Sequence, residues 1–169
     1  MTTHALKTSV RALVGFVLRS GSLSSSGFGS PDRLVEGTRG HQRIQDTRPE
    51  HYQAEVPVSH SVEVDGIALE INGRIDGLLI EGDGVLVEEI KTTERALDPE
   101  KKDVPVHWAQ AKVYASILAI QHDLESVDVQ LTYVQLESLA CHEDRRTFKR
   151  EELLAFFEDV ITRYIHWAH

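Results

Sequence analysis

Three neighbouring segments in the middle of the chain alternate apolar and polar side chains, and they constrain the fold more than any other feature. The segments are residues 52–64, 67–81 and 85–93, and the turns between them are Asp65-Gly66 and the sequence GDG. Period-two alternation is typical of strands, and Asp-Gly turns join antiparallel strands in hairpins. The sequence therefore predicts a three-stranded antiparallel meander, against which the rest of the chain has to pack.

Helical periodicity precedes and follows this meander. Apolar residues recur at helical spacing over 5–20, and Ser30 followed by Pro31 is a typical start for a second helix that runs to residue 45. The later elements are a helix over 106–124, a strand over 127–138, a candidate strand over 145–150 and a closing helix over 151–167. The order of elements, α-α-βββ-α-β(β)-α, indicates the α/β (α+β) fold class.

Length and composition fit one soluble domain. The 169 residues are enough to bury a core, and we expect a single domain over 1–169 with a flexible Gly/Ser-rich loop at 21–30. No segment approaches the roughly 20 apolar residues of a membrane span, so we expect a cytoplasmic protein without a membrane partner. The single cysteine, Cys141, excludes an internal disulfide and any four-cysteine zinc or iron–sulfur site within the chain.

The formal net charge of −9 argues against broad nucleic-acid binding, which normally leaves a basic surface. The charges are unevenly distributed, however, and Arg33, Arg39 and Arg43 lie in one segment. Bound divalent cations would also offset part of the negative charge. Charge alone therefore leaves the partner open.

An acid lies within each of two adjacent predicted strands. Asp76 is in the second, and Glu89 and Lys91 share one face of the third, about 7 Å apart along the strand. Carboxylates brought together repel unless a cation lies between them, and such oxygen-rich sites suit Mg²⁺ or Mn²⁺. A lysine beside the metal would orient or deprotonate a water. The alternative interpretation is that Asp76 caps a bend while Glu89 and Lys91 form a surface ion pair.

Two further features accompany the acids. His41 lies on the apolar face of the second helix, where it is either a core histidine or a metal ligand. Gln110 and Tyr114 are four residues apart on one face of the third helix, where they either bind a phosphate or base or form a surface pair. Trp108 is interpreted as a core residue and Glu88 as a structural one, because Glu88 faces away from Glu89.

In this order the motifs resemble those of the PD-(D/E)XK nuclease superfamily, and within it the RecB-like branch. The matching positions are His41 in RGHQ, Asp76 in GRID, Glu89-Ile90-Lys91 in EIK, and Gln110 with Tyr114 in QAKVY. The resemblance covers roughly residues 31–135 and implies a restriction-endonuclease-like αβββαβ core, a central mixed sheet flanked by helices. The stretches EGTRGHQRIQ, GRIDG, EEIKTT and HWAQAK are similar to the N-terminal nuclease-like domain of bacterial DinG-like DNA helicases.

The resemblance implies a metal-dependent DNA nuclease, exonuclease-like on single-stranded or end-containing DNA in repair or recombination, with a helicase domain or helicase partner. It implies Mg²⁺ or Mn²⁺ as the cofactor. Several RecB-like nucleases also hold an iron–sulfur cluster on four cysteines, and the single cysteine here departs from that pattern and predicts no cluster. Lys91, Asp76 and Glu89 would be catalytic, and the metal ligands would be His41, Asp76, Glu89 and the carbonyl of Ile90. Gln110 and Tyr114 would hold the DNA strand, and the weaker candidates for phosphate contacts are Arg39, Arg43, Arg74, Arg95 and Lys112.

Two alternatives stay open at this point. The fold could serve as a non-catalytic DNA-binding or scaffold module of a helicase, which the net charge of −9 supports. A restriction or junction-resolving endonuclease would share the acid–x–lysine motif, although Gln110 and Tyr114 favour the RecB-like branch.

Overall fold

The structure is a computed structural model that describes residues 5–19, 31–93, 97 and 105–168, with the backbone alone for 31–37. The predicted Gly/Ser loop at 21–30 and Arg95 lie outside these residues. The elements in chain order are β1 (Ala5–Ser9), α1 (Val10–Arg19), α2 (Pro31–Asp46), β2 (Gln53–Val64), β3 (Ile67–Glu81), β4 (Gly84–Thr93), α3 (Pro105–His122), β5 (Ser126–Gln135), β6 (Cys141–Lys149) and α4 (Arg150–Ala168).

The described strands form one six-stranded mixed sheet. The predicted meander is confirmed, since β2 pairs with β3 and β3 with β4, both antiparallel. The strand β5 lies parallel to β4, and β6 is antiparallel to β5, which confirms the candidate strand near residue 145. The predicted fold class, a mixed sheet flanked by helices around an αβββαβ core, is therefore confirmed.

The first element differs from the prediction. Residues 5–9 were expected to begin a helix, but they form β1, which pairs in parallel with β3 from Ala5↔Ala68 to Ser9↔Asn72. The helix α1 begins at Val10, directly after the strand, because Ser9 caps it. The Ser9 Oγ accepts a hydrogen bond from the backbone N–H of Ala12 at 3.0 Å. Hydrogen bonding to the open edge of β3 therefore stabilises the extended conformation of this short segment more than its weak helical preference stabilises a helix.

The helices form a layer on each face of the sheet. The largest core cluster joins α1, α3 and α4 to one face, and Trp108 lies in it, as predicted. The helix α3 is buried around most of its circumference, so it is the central element of this layer. On the other face α2 packs through Ile44 against Ile90 and Val134. None of the described helices is long and apolar enough to cross a membrane.

The site is positioned by a gap along one edge of β3. The strand β2 covers one edge of β3, and β1 and β4 share the other, β1 as far as Asn72 and β4 from Gly77 onward. Residues 73–76 lie between these two partners. Side chains from both helical layers can therefore reach the strand at this point.

Candidate metal centre

Asp76 lies in the gap and is held there on two sides. Its Oδ2 accepts a hydrogen bond from the backbone N–H of Ile90 at 2.8 Å, so the side chain bridges the point where β3 and β4 separate. Its carbonyl oxygen accepts a hydrogen bond from Gln45 Nε2 at 2.9 Å. The side chain is 13% exposed. Its orientation is therefore fixed before any ligand binds.

His41 reaches Asp76 from α2. The helix lies close to the sheet because residue 40 is glycine: a Cβ there would be 2.7 Å from Thr92 Cγ2. His41 Nδ1 is 3.6 Å from Asp76 Oδ1. Burial lowers the pKa of His41, although Glu55, Glu89 and the Ile90 carbonyl partly oppose this shift. The neutral imidazole, which is the form that binds metals, is therefore favoured at neutral pH.

Glu89 and Lys91 approach from the α3 side of the sheet. Lys91 Nζ is 3.0 Å from Glu89 Oε1 and donates a hydrogen bond to Gln110 Oε1 at 2.8 Å. Glu89 is 6% exposed, and its second oxygen, Oε2, is buried without a hydrogen-bond partner among the described residues. A buried carboxylate oxygen left in this state costs free energy, and a cation would satisfy it.

The electrostatics of Asp76 and Glu89 also favour a bound cation. Burial raises the pKa of Asp76, which the Ile90 N–H and Lys91 partly oppose. Burial also raises the pKa of Glu89 to about 7; Lys91 opposes this shift and Asp76 adds to it. Both carboxylates are therefore destabilised in their charged form when no cation is bound. The donor set of carboxylate oxygens, a carbonyl and one neutral imidazole fits a divalent metal ion of the Mg²⁺ or Mn²⁺ class.

The raised pKa of Glu89 predicts a pH-dependent effect of Glu89→Gln in EDTA. A carboxyl whose pKa is higher in the folded protein destabilises the fold as pH rises from its ordinary pKa of 4.5 through about 7. The variant should therefore gain stability over the original protein between about pH 5 and about pH 8. We expect the difference in free energy of unfolding to grow by more than about 1 kcal/mol across this range. Urea denaturation measures it, and an equal difference at both pH values would contradict the prediction.

Glu55 is a neighbour of the site that the sequence analysis missed. Its Oε1 is 4.0 Å from His41 Nδ1, and ligand atoms of Glu55, His41 and Asp76 all lie within 4.8 Å of one another. In the sequence Glu55 is an ordinary polar position in an alternating strand. Its φ of 55° is a backbone conformation that the sequence pattern does not indicate. The register of β2 against β3 was the available signal, since it places residue 55 opposite residue 76.

Gln110 and Tyr114 both point into the protein. Gln110 contacts Lys91, as described above. Tyr114 is 7% exposed, and its hydroxyl accepts a hydrogen bond from the backbone N–H of Arg74 at 3.2 Å. Its ring crosses the strand at Gly73, where a Cβ would lie 2.7 Å from Tyr114 Cε1. Each of the two side chains therefore contacts a residue or backbone segment next to the acids.

The predicted basic residues lie at different distances from the acids. Arg74 is exposed and precedes Asp76 by two residues on the same strand. Arg39 and Arg43 line a groove of about 960 Å³ between α2 and the loop after β5. They lie on the other side of α2 from His41, because residues two apart in a helix are about 200° apart. Lys112 lies away from the acids, with Nζ 4.1 Å from the ring centre of Phe156.

The structure thus brings together one group of predicted site residues and leaves a second group apart. The group that meets at the gap is His41, Asp76, Glu89, Ile90, Lys91 and Gln110, with Tyr114 packed beside it. Arg39, Arg43 and Lys112 face other surfaces.

Glu88 lies on the opposite face of β4 and is 1% exposed. It accepts hydrogen bonds from Arg48, Tyr52, Gln130 and Thr132. Arg48 follows α2, so this buried network ties the end of that helix to the sheet beneath the acids. These contacts agree with the structural role expected for Glu88.

A sequence model of the PD-(D/E)XK nuclease superfamily matches residues 28–166. The crystal structure of SSO0001 overlaps with a TM-score of 0.59 and 19% identity, covering 92% of this chain and 75% of that chain, which supports a shared fold alone. A structure of Scheffersomyces stipitis Rai1 in complex with (3'-NADP)+ and calcium ion has a TM-score of 0.35 and 9% identity, over 95% of this chain and 56% of that chain. This overlap is too weak to indicate a shared fold. No curated protein sequence matches the chain.

Proposed function

Because the chain belongs to the PD-(D/E)XK nuclease superfamily, we propose that it is a Mg²⁺- or Mn²⁺-dependent deoxyribonuclease. Superfamily membership implies a metal-dependent nuclease that acts on nucleic acid. The proposal adds DNA as the substrate and the cluster around Asp76 as the active site. The observation that carries it is the buried, unpartnered oxygen of Glu89 beside Lys91, because this arrangement is costly without a cation.

The ligands for the metal are His41, Asp76, Glu89 and the carbonyl of Ile90. All but one of the donor atoms are oxygens, as hard divalent cations prefer, and the imidazole is tolerated better by Mn²⁺ than by Mg²⁺. A divalent cation bound there supplies Lewis-acid stabilisation of the negative charge on the scissile phosphate. Asp76 presents its carboxylate in one orientation, since the Ile90 N–H holds Oδ2 and Gln45 holds the backbone carbonyl of the same residue.

Lys91 acts on the phosphate and on the attacking water. Glu89 and Gln110 hold its ammonium group, so the N–H that remains can donate to a water or to a phosphoryl oxygen. A donor fixed before the reaction stabilises charge that develops in the transition state without a reorganisation cost. Gln110 is therefore a positioning residue for Lys91. Tyr114 fixes the strand just before Asp76 through the Arg74 N–H.

We place the chain in the RecB-like branch and assign it exonuclease-like cleavage of single-stranded or end-containing DNA, in cytoplasmic repair or recombination beside a helicase. The presence of Gln110 and Tyr114 behind the acids supports the branch. Arg74 is the nearest candidate for a phosphate contact, since its side chain is exposed and it lies about 7 Å from Asp76 along β3. Arg39 and Arg43 would contact DNA farther along its path, in the groove beside α2.

The form of the substrate can be tested with one oligonucleotide in two topologies. We expect the protein to degrade a linear single strand in the presence of Mn²⁺ and to leave a covalently closed circle of the same sequence intact. Equal loss of both would show endonuclease action and contradict the exonuclease assignment. Binding of both without cleavage would favour the non-catalytic helicase module instead. Asp76→Asn is the negative control. Asp159→Asn, which changes an exposed acid on α4 in the same way, is the matched control and should cleave like the original protein.

A further inference from the structure

We infer that Glu55 is an additional metal ligand, which with His41 and Asp76 forms a second cation position beside the one served by Asp76, Glu89 and Ile90. The inference rests on the proposed function, because it assumes that the cluster binds divalent cations. It assigns a role to a residue on β2, which none of the motifs includes. With two cations bound, His41 would serve the second position instead of the first, and Asp76 would be the ligand shared by both.

The geometry brings the carboxylate of Glu55 to the site. Glu55 lies opposite Asp76 in the register of β2 and β3, between the pairs Ala54↔Gly77 and Val56↔Ile75. Its φ of 55° departs from extended backbone, and such a conformation is strained for a residue other than glycine. The ligand atoms of Glu55, His41 and Asp76 are close enough to share one ion, within 4.8 Å of one another.

A neighbouring amide holds this carboxylate in place. Gln45 Nε2 donates to Glu55 Oε1 at 3.0 Å and to the carbonyl of Asp76 at 2.9 Å. One side chain of α2 therefore links the two acids, and the same helix contributes His41. Supporting hydrogen bonds of this kind orient the ligands at metal sites.

A separate observation is that one buried carboxylate oxygen next to this cluster is not neutralised by any described side chain. Glu89 Oε2 is buried and has no partner among the described residues, although Lys91 holds the other oxygen. Besides burial, Glu55 raises the pKa of Asp76, and Asp76 in turn raises the pKa of Glu89, so the three carboxylates repel along this series. Like charges held together in this way are repulsive, and divalent cations turn the repulsion into binding free energy.

Calorimetric titration of Mn²⁺ into the metal-free full chain tests the inference. We expect two binding events in the original protein and the loss of one in Glu55→Gln, or a weakening of at least about tenfold. Glu55→Gly serves as the second variant, because glycine adopts the positive φ without strain and removes the carboxylate together with the rest of the side chain. Glu63→Gln, an exposed acid on the same strand, is the matched control and should bind like the original protein.

The melting temperature provides a second readout that a purely structural residue would not produce. In EDTA, Glu55→Gln should melt at the same or a higher temperature, since one of the repelling carboxylates is neutralised. In Mn²⁺ its gain should be smaller than that of the original protein, because stabilisation follows binding by mass action. Unchanged Mn²⁺ binding in both Glu55 variants would overturn this inference alone. Absence of Mn²⁺ binding in the original protein would overturn the proposed function as well.

Discussion

Lys91→Ala is expected to lower the rate of DNA cleavage by roughly 10²–10³-fold, the loss typical of removing one preorganised donor from a transition state. Glu89 and Gln110 fix the Lys91 ammonium in the folded protein, so the donor is oriented before the substrate binds. The acids that bind the metal stay in place. The loss should therefore appear in kcat, with Mn²⁺ still bound.

The measurement compares single-turnover cleavage by Lys91→Ala and by Lys149→Ala, which removes an exposed lysine from β6. Lys149→Ala should cleave at the original rate. Calorimetry on the same preparations should show that Lys91→Ala still binds Mn²⁺. A Lys91→Ala variant that keeps more than about a tenth of the rate would contradict the role of Lys91 in transition-state stabilisation.

Glu88→Ala is expected to lower the free energy of unfolding by about 3–5 kcal/mol, because it leaves the half-buried Arg48 and the buried donors of Gln130 and Thr132 without their acceptor. Arg48 donates to Glu88 from Nη2 at 2.6 Å and from Nε at 3.1 Å, and Tyr52 donates at 2.7 Å. Burial alone would raise the pKa of Glu88, but hydrogen bonds from Arg48 and two hydroxyl groups lower it. The carboxylate is therefore fully ionised, and its contribution complete, at neutral pH.

Glu143→Ala is the matched control, since Glu143 accepts a hydrogen bond from the same Arg48 at 2.8 Å but is 43% exposed. Exposed ion pairs contribute little, so this variant should lose less than about 1 kcal/mol. Urea denaturation at pH 7 measures both variants. Equal losses would show that the burial of Glu88 adds nothing to its pairing with Arg48.

Most of the sheet could be predicted because β2, β3 and β4 alternate regularly and their turns carry Asp-Gly sequences. The exception is β1, whose five residues fit a helical as well as an extended pattern. Its state depends on the open edge of β3, a long-range feature that local periodicity does not contain. Ser9 was the one local signal, as a helix cap that ends the strand.

The acids and the lysine of the candidate site could be predicted because strand alternation places Glu89 and Lys91 on one face. Helical spacing likewise indicated that Gln110 and Tyr114 share a face, but not that this face points inward at Lys91 and Arg74. Glu55 was missed because the sequence pattern does not indicate its unusual backbone angle, although the Asp65-Gly66 turn sets the register that places it opposite Asp76. The sequence thus predicted side chains whose direction follows from local geometry and missed one that does not.

The most direct test of a metal-dependent nuclease site at Asp76 is a cleavage assay. End-labelled single-stranded and duplex DNA are incubated in Mg²⁺, Mn²⁺ or EDTA, with Asp76→Asn run in parallel. Asp76 is the residue that joins both halves of the proposed site, through Ile90 on one side and His41 on the other. We expect cutting that requires the metal and disappears in Asp76→Asn. Cutting in EDTA, or undiminished cutting by Asp76→Asn, would contradict a metal-dependent site at the gap in β3.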